Sequence, residues 1–193
     1  GGGTDAGDGE ATLKITGAAT QIITGVIDSE GADFVGDLEV TNTAGLVTFA
    51  SAIGGTNDLK AITIGASTFD SDIKFAAAVS SQLITVVGGD ATTEDSTVNF
   101  VAAVVAPSMV MTAATSGAIS KVSFTASAAT TAFTGAITAG TTSGTDTEIH
   151  VIDSAAGAPA LQKITGLVGT STNRIGLIAI GEDDGKAGAL EFD

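Results

Sequence analysis

A phenylalanine recurs at positions 49, 75, 100 and 124, and each time it closes the same kind of triplet: Val47-Thr48-Phe49, Ile73-Lys74-Phe75, Val98-Asn99-Phe100 and Val122-Ser123-Phe124. By subtraction the intervals are 26, 25 and 24 residues, and a similar triplet, Ile149-His150-Val151, ends 27 residues beyond Phe124. A fixed period of this size constrains a chain strongly. One unit of about 25 residues cannot bury its own apolar face, so it must stack on further units like itself. Within each triplet a β-branched residue, a polar residue and an apolar residue alternate, which is the period of a half-buried strand.

Each period carries two strand-like halves. The first halves are Val47–Ile53, Ile73–Val79, Val98–Val104, Val122–Ala128 and Ile149–Ala155, and the second are Leu59–Ile64, Gln82–Val87, Ser108–Thr112, Phe133–Thr138 and Leu161–Thr165. The chain holds 26 glycines and 2 prolines, and its aromatic residues are all phenylalanine. Short strands, tight turns and small apolar side chains suit a thin layered core. The pattern predicts an all-β chain: a right-handed parallel β-helix (a β-solenoid) with coils of about 25 residues, seven to eight in number, whose strands stack at ~4.8 Å. Like residues then sit on like. Phe49, Phe75, Phe100 and Phe124 form an internal ladder, and Thr48, Lys74, Asn99, Ser123 and His150 face solvent. A second echo relates Ala52–Gly65 to Leu167–Gly181. The alternative fold is a pair of Ig-like β-sandwiches, which short strands with frequent turns also fit but which does not require a 25-residue echo. Residues 1–10, rich in Gly and Asp, are expected to lie against a neighbouring subunit or against the end of their own domain. Residues 11–193 are expected to form a single solenoid domain.

Charge narrows the partners. With 22 acidic and 7 basic residues the net charge is −15, so phosphate backbones are repelled and nucleic acid is excluded as a partner. No apolar run is long enough to cross a membrane as a helix, so no membrane insertion is expected. With no cysteine, disulfides and thiolate metal sites are excluded. The chain begins at Gly1 rather than Met, as a processed or partial product does. Between residues 96 and 145 the only charged side chain is Lys121. Such a neutral zone of small side chains is expected to pack laterally on another chain.

Catalytic chemistry is hard to place. The one histidine, His150, occupies the polar middle position of a triplet, and there is no G-x-S-x-G elbow to accompany it. Acid pairs at spacing two, Asp70/Asp72 and Asp28/Glu30, share one side of an extended strand, and paired acids can hydrolyse glycosides, but no Arg, Tyr or Trp accompanies them to hold a sugar. Calcium suits the acids better, because it takes several carboxylate and carbonyl oxygens. The candidate ligands are Asp70, Asp72, Asp90, Glu94, Asp95, Glu182, Asp183 and Asp184, with Asp5/Asp8 as a further pair in the Gly-rich start. None of these segments matches an EF-hand loop or a glycine-rich nonapeptide.

The segments Val47–Thr56, Leu59–Ile64 and Phe133–Thr138 resemble repeats of filamentous-haemagglutinin-like adhesins and related large bacterial surface proteins, over residues 38–181. That resemblance implies secretion, a right-handed parallel β-helix and service as a stalk, adhesin or filament. The expected function is therefore that of a non-enzymatic structural protein, extracellular or at the cell surface. It would self-assemble into a filament, tube or layer through its solenoid ends and neutral faces. The alternative is an adhesin stalk or carbohydrate-binding module, with surface glycans as partner in place of further copies of the chain.

Overall fold

A computed structural model of the chain describes residues 11–31, 34–66, 68, 71–89, 95–113, 117–125, 130–140, 146–152, 160–181 and 188–193. Its strands are β1 (Thr12–Gly17), β2 (Gln21–Ile23), β3 (Asp37–Asn42), β4 (Leu46–Phe49), β5 (Leu59–Ile64), β6 (Asp72–Phe75), β7 (Val79–Gly88), β8 (Ser96–Phe100), β9 (Val104–Ala113), β10 (Ser120–Phe124), β11 (Thr130–Ala139), β12 (Thr147–Val151), β13 (Leu161–Thr165), β14 (Leu177–Ile180) and β15 (Ala189–Phe192). Odd-numbered strands make one eight-stranded sheet and even-numbered strands a seven-stranded sheet, both in chain order. Every ladder is parallel. Parallel strands joined by a crossover of one period, level after level, define a β-solenoid, here of about six turns with levels about 25 residues apart. The seven strands of the second sheet span about six turns, fewer than the seven to eight coils expected.

The triplets fall in register as their spacing requires. Val47, Ile73, Val98, Val122 and Ile149 pair in succession, as do Phe49, Phe75, Phe100, Phe124 and Val151. The first four rings stack face to face inside the solenoid, with centroids 5.0, 5.1 and 5.9 Å apart. All four are at most 1% exposed. Burying a phenylalanine removes a large apolar surface from water, and offset stacking adds to that. Phe133 joins from the facing sheet, tilted 50° to Phe124 at 6.2 Å.

The eight-stranded sheet is bent. Along β7 the burial alternation slips at Gln82-Leu83, and along β9 at Pro107-Ser108. Along β11 it slips at Thr134-Gly135-Ala136, where pairing with β9 also shifts. Because strand side chains alternate strictly, two successive outward residues mean that the strand has turned a corner. Each coil therefore has three faces, visited in the order Phe face, second face, third face. β3 and β5 pair with the later half of β7 and belong to the third face. β13 and β15 extend the earlier half of β11 and belong to the second. This corrects two sequence expectations. Leu161–Thr165 is not the counterpart of Leu59–Ile64, since the two strands lie on different faces. The long echo likewise crosses faces: Ile53 bridges Ile27 and Val79 on the second face, whereas Val168 bridges Ile137 on the third.

A column of hydroxyls lines one corner. Ser71, Ser96, Ser120 and Thr147 each stand four residues before a triplet's last member, and all are at most 2% exposed. Ser96 pairs with Ser120 and Ser120 with Thr147. The Ser71 hydroxyl donates to the Asn42 carbonyl and the Ser120 hydroxyl to the Val86 carbonyl, both at 3.0 Å. These bonds give the buried hydroxyls backbone acceptors. The signal was present in the sequence: the repeating unit is Ser/Thr-x-Ile/Val-x-Phe/Val, longer than the triplet.

Candidate functional site

The three inward columns can be followed from one end of the stack to the other. On the Phe face the rungs are Gln21, Val47, Ile73, Val98, Val122, Ile149 and Ile178. On the second face they are Ile27, Ile53, Val79, Val104, Phe133, Ile164 and Phe192. On the third face they are Leu13, Leu38, Ile62, Ile84, Met109, Ile137 and Val168. Interior rungs of all three columns are at most 1% exposed. Of the outermost rungs, Gln21, Ile27 and Val168 are half-buried and the others exposed. Leu13 is 43% exposed at one end, and Ile178, Ile180 and Phe192 are 39%, 54% and 52% exposed at the other.

The edge strands are open as well. Among the described residues β1 and β2 carry no strand on one side, and neither do β14 and β15. Such edges present unpaired amides and carbonyls, the usual template for pairing with another strand. The outward residues Ile22, Val26, Leu167 and Leu177 add exposed apolar surface around the same rims. At the β14 end a recess of about 400 Å3 is lined by Val168, Ile175 and Ile178 together with Gly169, Thr170, Ser171 and Arg174.

The neutral zone takes a definite shape. On the third face Ala61, Leu83, Ser108 and Ala136 form one outward column, and Thr63, Thr85, Val110 and Thr138 form the next. All are half-buried and uncharged. The patch therefore begins at β5, earlier than the 96–145 stretch suggested. It is bordered by charge: Asp37 and Glu39 lie next to Ala61 and Thr63. Sequence counting missed this width because it counted linearly, while the surface joins residues one period apart.

Of the calcium candidates, Asp70, Asp90, Glu94, Glu182, Asp183 and Asp184 lie outside the described residues, as do Asp5 and Asp8. Asp72 and Asp95 come from separate sequence clusters, and the fold brings both to one shallow depression with Asn42, Ala44, Gly45 and Thr97. One Asp95 oxygen accepts the backbone N–H of Ile119 at 2.8 Å, which ties one coil to the next. Among the described residues no three acids or histidines gather as a metal site would require. The Asp28/Glu30 pair divides similarly. The Asp28 carboxylate accepts the Asn57 and Thr56 amides at 2.8 and 3.1 Å, and those bonds, chiefly the one from Asn57, hold its pKa below the ordinary value.

Two outward positions are less exposed than expected. His150 does face away from the core, but its side chain is only 13% exposed and lies against Glu148, Nε2 to Oε2 at 2.8 Å. Ser123 is 5% exposed although its register points it outward. Between the long side chains of neighbouring coils, a short residue on a parallel sheet is shaded by its neighbours.

Comparison with protein-family models, with curated proteins and with solved structures finds no match to this chain.

Proposed function

We propose that this chain is a non-enzymatic structural protein of the cell surface or extracellular space, whose solenoid associates with further copies into a filament, tube or layer. The observation that supports this reading is that, among the described residues, apolar core rungs at the ends of the stack are left uncovered, Leu13 at one end and Ile178, Ile180 and Phe192 at the other, on outermost strands that pair on one side. Solenoids that work as monomers cover such ends with a polar cap. A buried rung gains ~25 cal/mol for each Å2 of apolar surface removed from water, so stacking a further coil on either end is favourable. The uncharged columns of the third face supply a second, lateral contact, because small flat side chains allow close approach without desolvating charge. The resemblance of the repeats to filamentous-haemagglutinin-like surface proteins agrees with a stalk or filament role.

The test is the size of the purified chain as a function of concentration, by light scattering and by electron microscopy, with calcium and with a chelator. Rods or sheets that grow with concentration support the reading. A chain that stays monomeric at the highest concentration in both conditions overturns it.

A further inference from the structure

We propose that copies join head to tail in one register, so that β1 of one copy seats on the Val168 segment of the next, β2 on β14, and the Ile27 segment on β15. This rests on the self-assembly reading and specifies its contact. The geometry points to it through the phase of the three faces. The described strands visit the third face, the Phe face and the second face in that order, beginning with β1 and ending with β15, and each face receives seven rungs. After β15 the next face in turn is the third, which is the one β1 occupies. A second copy therefore continues all three columns at once, with no face a strand short and none doubled.

The matched rungs are chemically alike. Leu13 falls on Val168, Ile23 on Ile180 and Ile27 on Phe192; in each pair one member is exposed (Leu13, Ile180, Phe192) and the other half-buried. The recess lined by Val168, Ile175 and Ile178 lies where Leu13 enters. Of the inward rungs, Gln21 on Ile178 alone pairs unlike residues. Head-to-head or tail-to-tail joining would make antiparallel pairs and break every column, since all ladders within the chain are parallel. One contact opposes joining: the register that sets Phe192 on Ile27 also sets Asp193 beside Asp28.

The chain has no cysteine, so introduced cysteines report the contact directly. The register places outward Ile22 over outward Ala179. Adjacent parallel strands lie ~4.8 Å apart, within disulfide reach, whereas a partner two residues along is beyond it. The single variants Ile22→Cys and Ala179→Cys are mixed at an assembling concentration and oxidised. The expected result is a crosslinked pair of one of each, with little crosslinking when Leu177→Cys replaces Ala179→Cys. Val26→Cys with Glu191→Cys tests the second face in the same way, should the first pair disturb folding. Homodimers of Ile22→Cys or of Ala179→Cys alone would overturn the proposal in favour of head-to-head or tail-to-tail joining. Assembly by light scattering without crosslinking of either matched pair would overturn the register and leave self-assembly standing. Absence of assembly would overturn both.

Discussion

Gly166 lies directly over Gly135 at the corner between the second and third faces. A Cβ on Gly166 would stand 2.1 Å from the Gly135 carbonyl oxygen, and one on Gly135 would stand 1.8 Å from that of Ala106. Their φ angles are 131° and 134°, a region that side-chain-bearing residues rarely adopt. Both the close approach and the backbone angle thus demand glycine. Gly135→Ala is expected to lower stability by at least ~1–3 kcal/mol, the cost of forcing such a conformation before any clash is counted. Gly25→Ala, at a position with open space around it, should change little. Urea midpoints followed by far-ultraviolet circular dichroism compare the two, and equal midpoints would mean that the corner relaxes freely.

The phenylalanine ladder makes a second demand. Phe75 stacks on Phe49 on one side and on Phe100 on the other, with both interplanar angles at 10°. Phe75→Ala removes a ring from between two neighbours that the coil spacing prevents from closing up. A loss of about 3–5 kcal/mol is expected. Because a solenoid couples mainly to its nearest coils, the variant is also expected to show a lower urea dependence than the parent, with the two halves of the stack unfolding separately. A single sharp transition with unchanged slope would show that cooperativity runs through the break.

The hydroxyl column separates two serines that look equivalent in sequence. Ser120 donates to the Val86 carbonyl, whereas the Ser96 hydroxyl is buried and finds no hydrogen-bond partner among the described residues. Ser120→Ala should cost about 0.5–1.5 kcal/mol, the net value of a typical hydrogen bond. Ser96→Ala should be neutral or slightly stabilising, because it removes an unsatisfied polar atom from the interior. Thermal midpoints decide this, and an equal loss in both variants would show that Ser96 has a partner after all.

These cases also mark what the sequence could and could not reveal. The fold and the register of the Phe face were legible, because stacking forces like residues onto like and so writes the coil length into the spacing of Phe49, Phe75, Phe100 and Phe124. The third face was not. A corner inside a continuous strand such as Val79–Gly88 leaves only a one-residue slip of the alternation, which a Ser-Ser-Gln run does not advertise. Two of the acids have a role that the sequence did not show. Asp28, weighed as half of an acid pair, and Asp95, weighed as a calcium ligand, each accept backbone amides of the next coil. A turn that must satisfy amides along a stack selects carboxylates without any ion. The phase of the columns emerged from pairing alone.

Asp28 carries a pH consequence. Its folded pKa lies below the ordinary carboxylate value of 3.8, chiefly because the Asn57 amide donates to it. A depressed folded pKa means that the contribution is fully present above the unfolded value and is lost as pH falls through the folded one. Lowering pH from about 5 should therefore loosen the Asp28 turn, and Asp28→Asn should show a shallower fall in stability over that range. Thermal midpoints of the two proteins between pH 5 and pH 2 supply the comparison. Parallel curves would mean that the carboxylate interaction is lost to solvent screening.

The lateral contact is tested on the third face. Ser123→Glu is a poor probe, since its site is shaded and a charge there would strain the fold itself. Val110 is better placed. It is half-buried and outward, between Thr85 and Thr138 in a column that carries no charge from Thr63 onward. Val110→Lys should keep its folded circular dichroism, because the aliphatic stem of lysine can lie along the face while the ammonium reaches water. Burying that ammonium against a second solenoid would be costly, so sheets or bundles should give way to single rods. End variants such as Ile180→Lys should do the reverse and shorten the rods while leaving side-by-side association. Electron microscopy distinguishes these outcomes. If Val110→Lys shortens the rods and leaves their bundling intact, the third face is not the lateral contact.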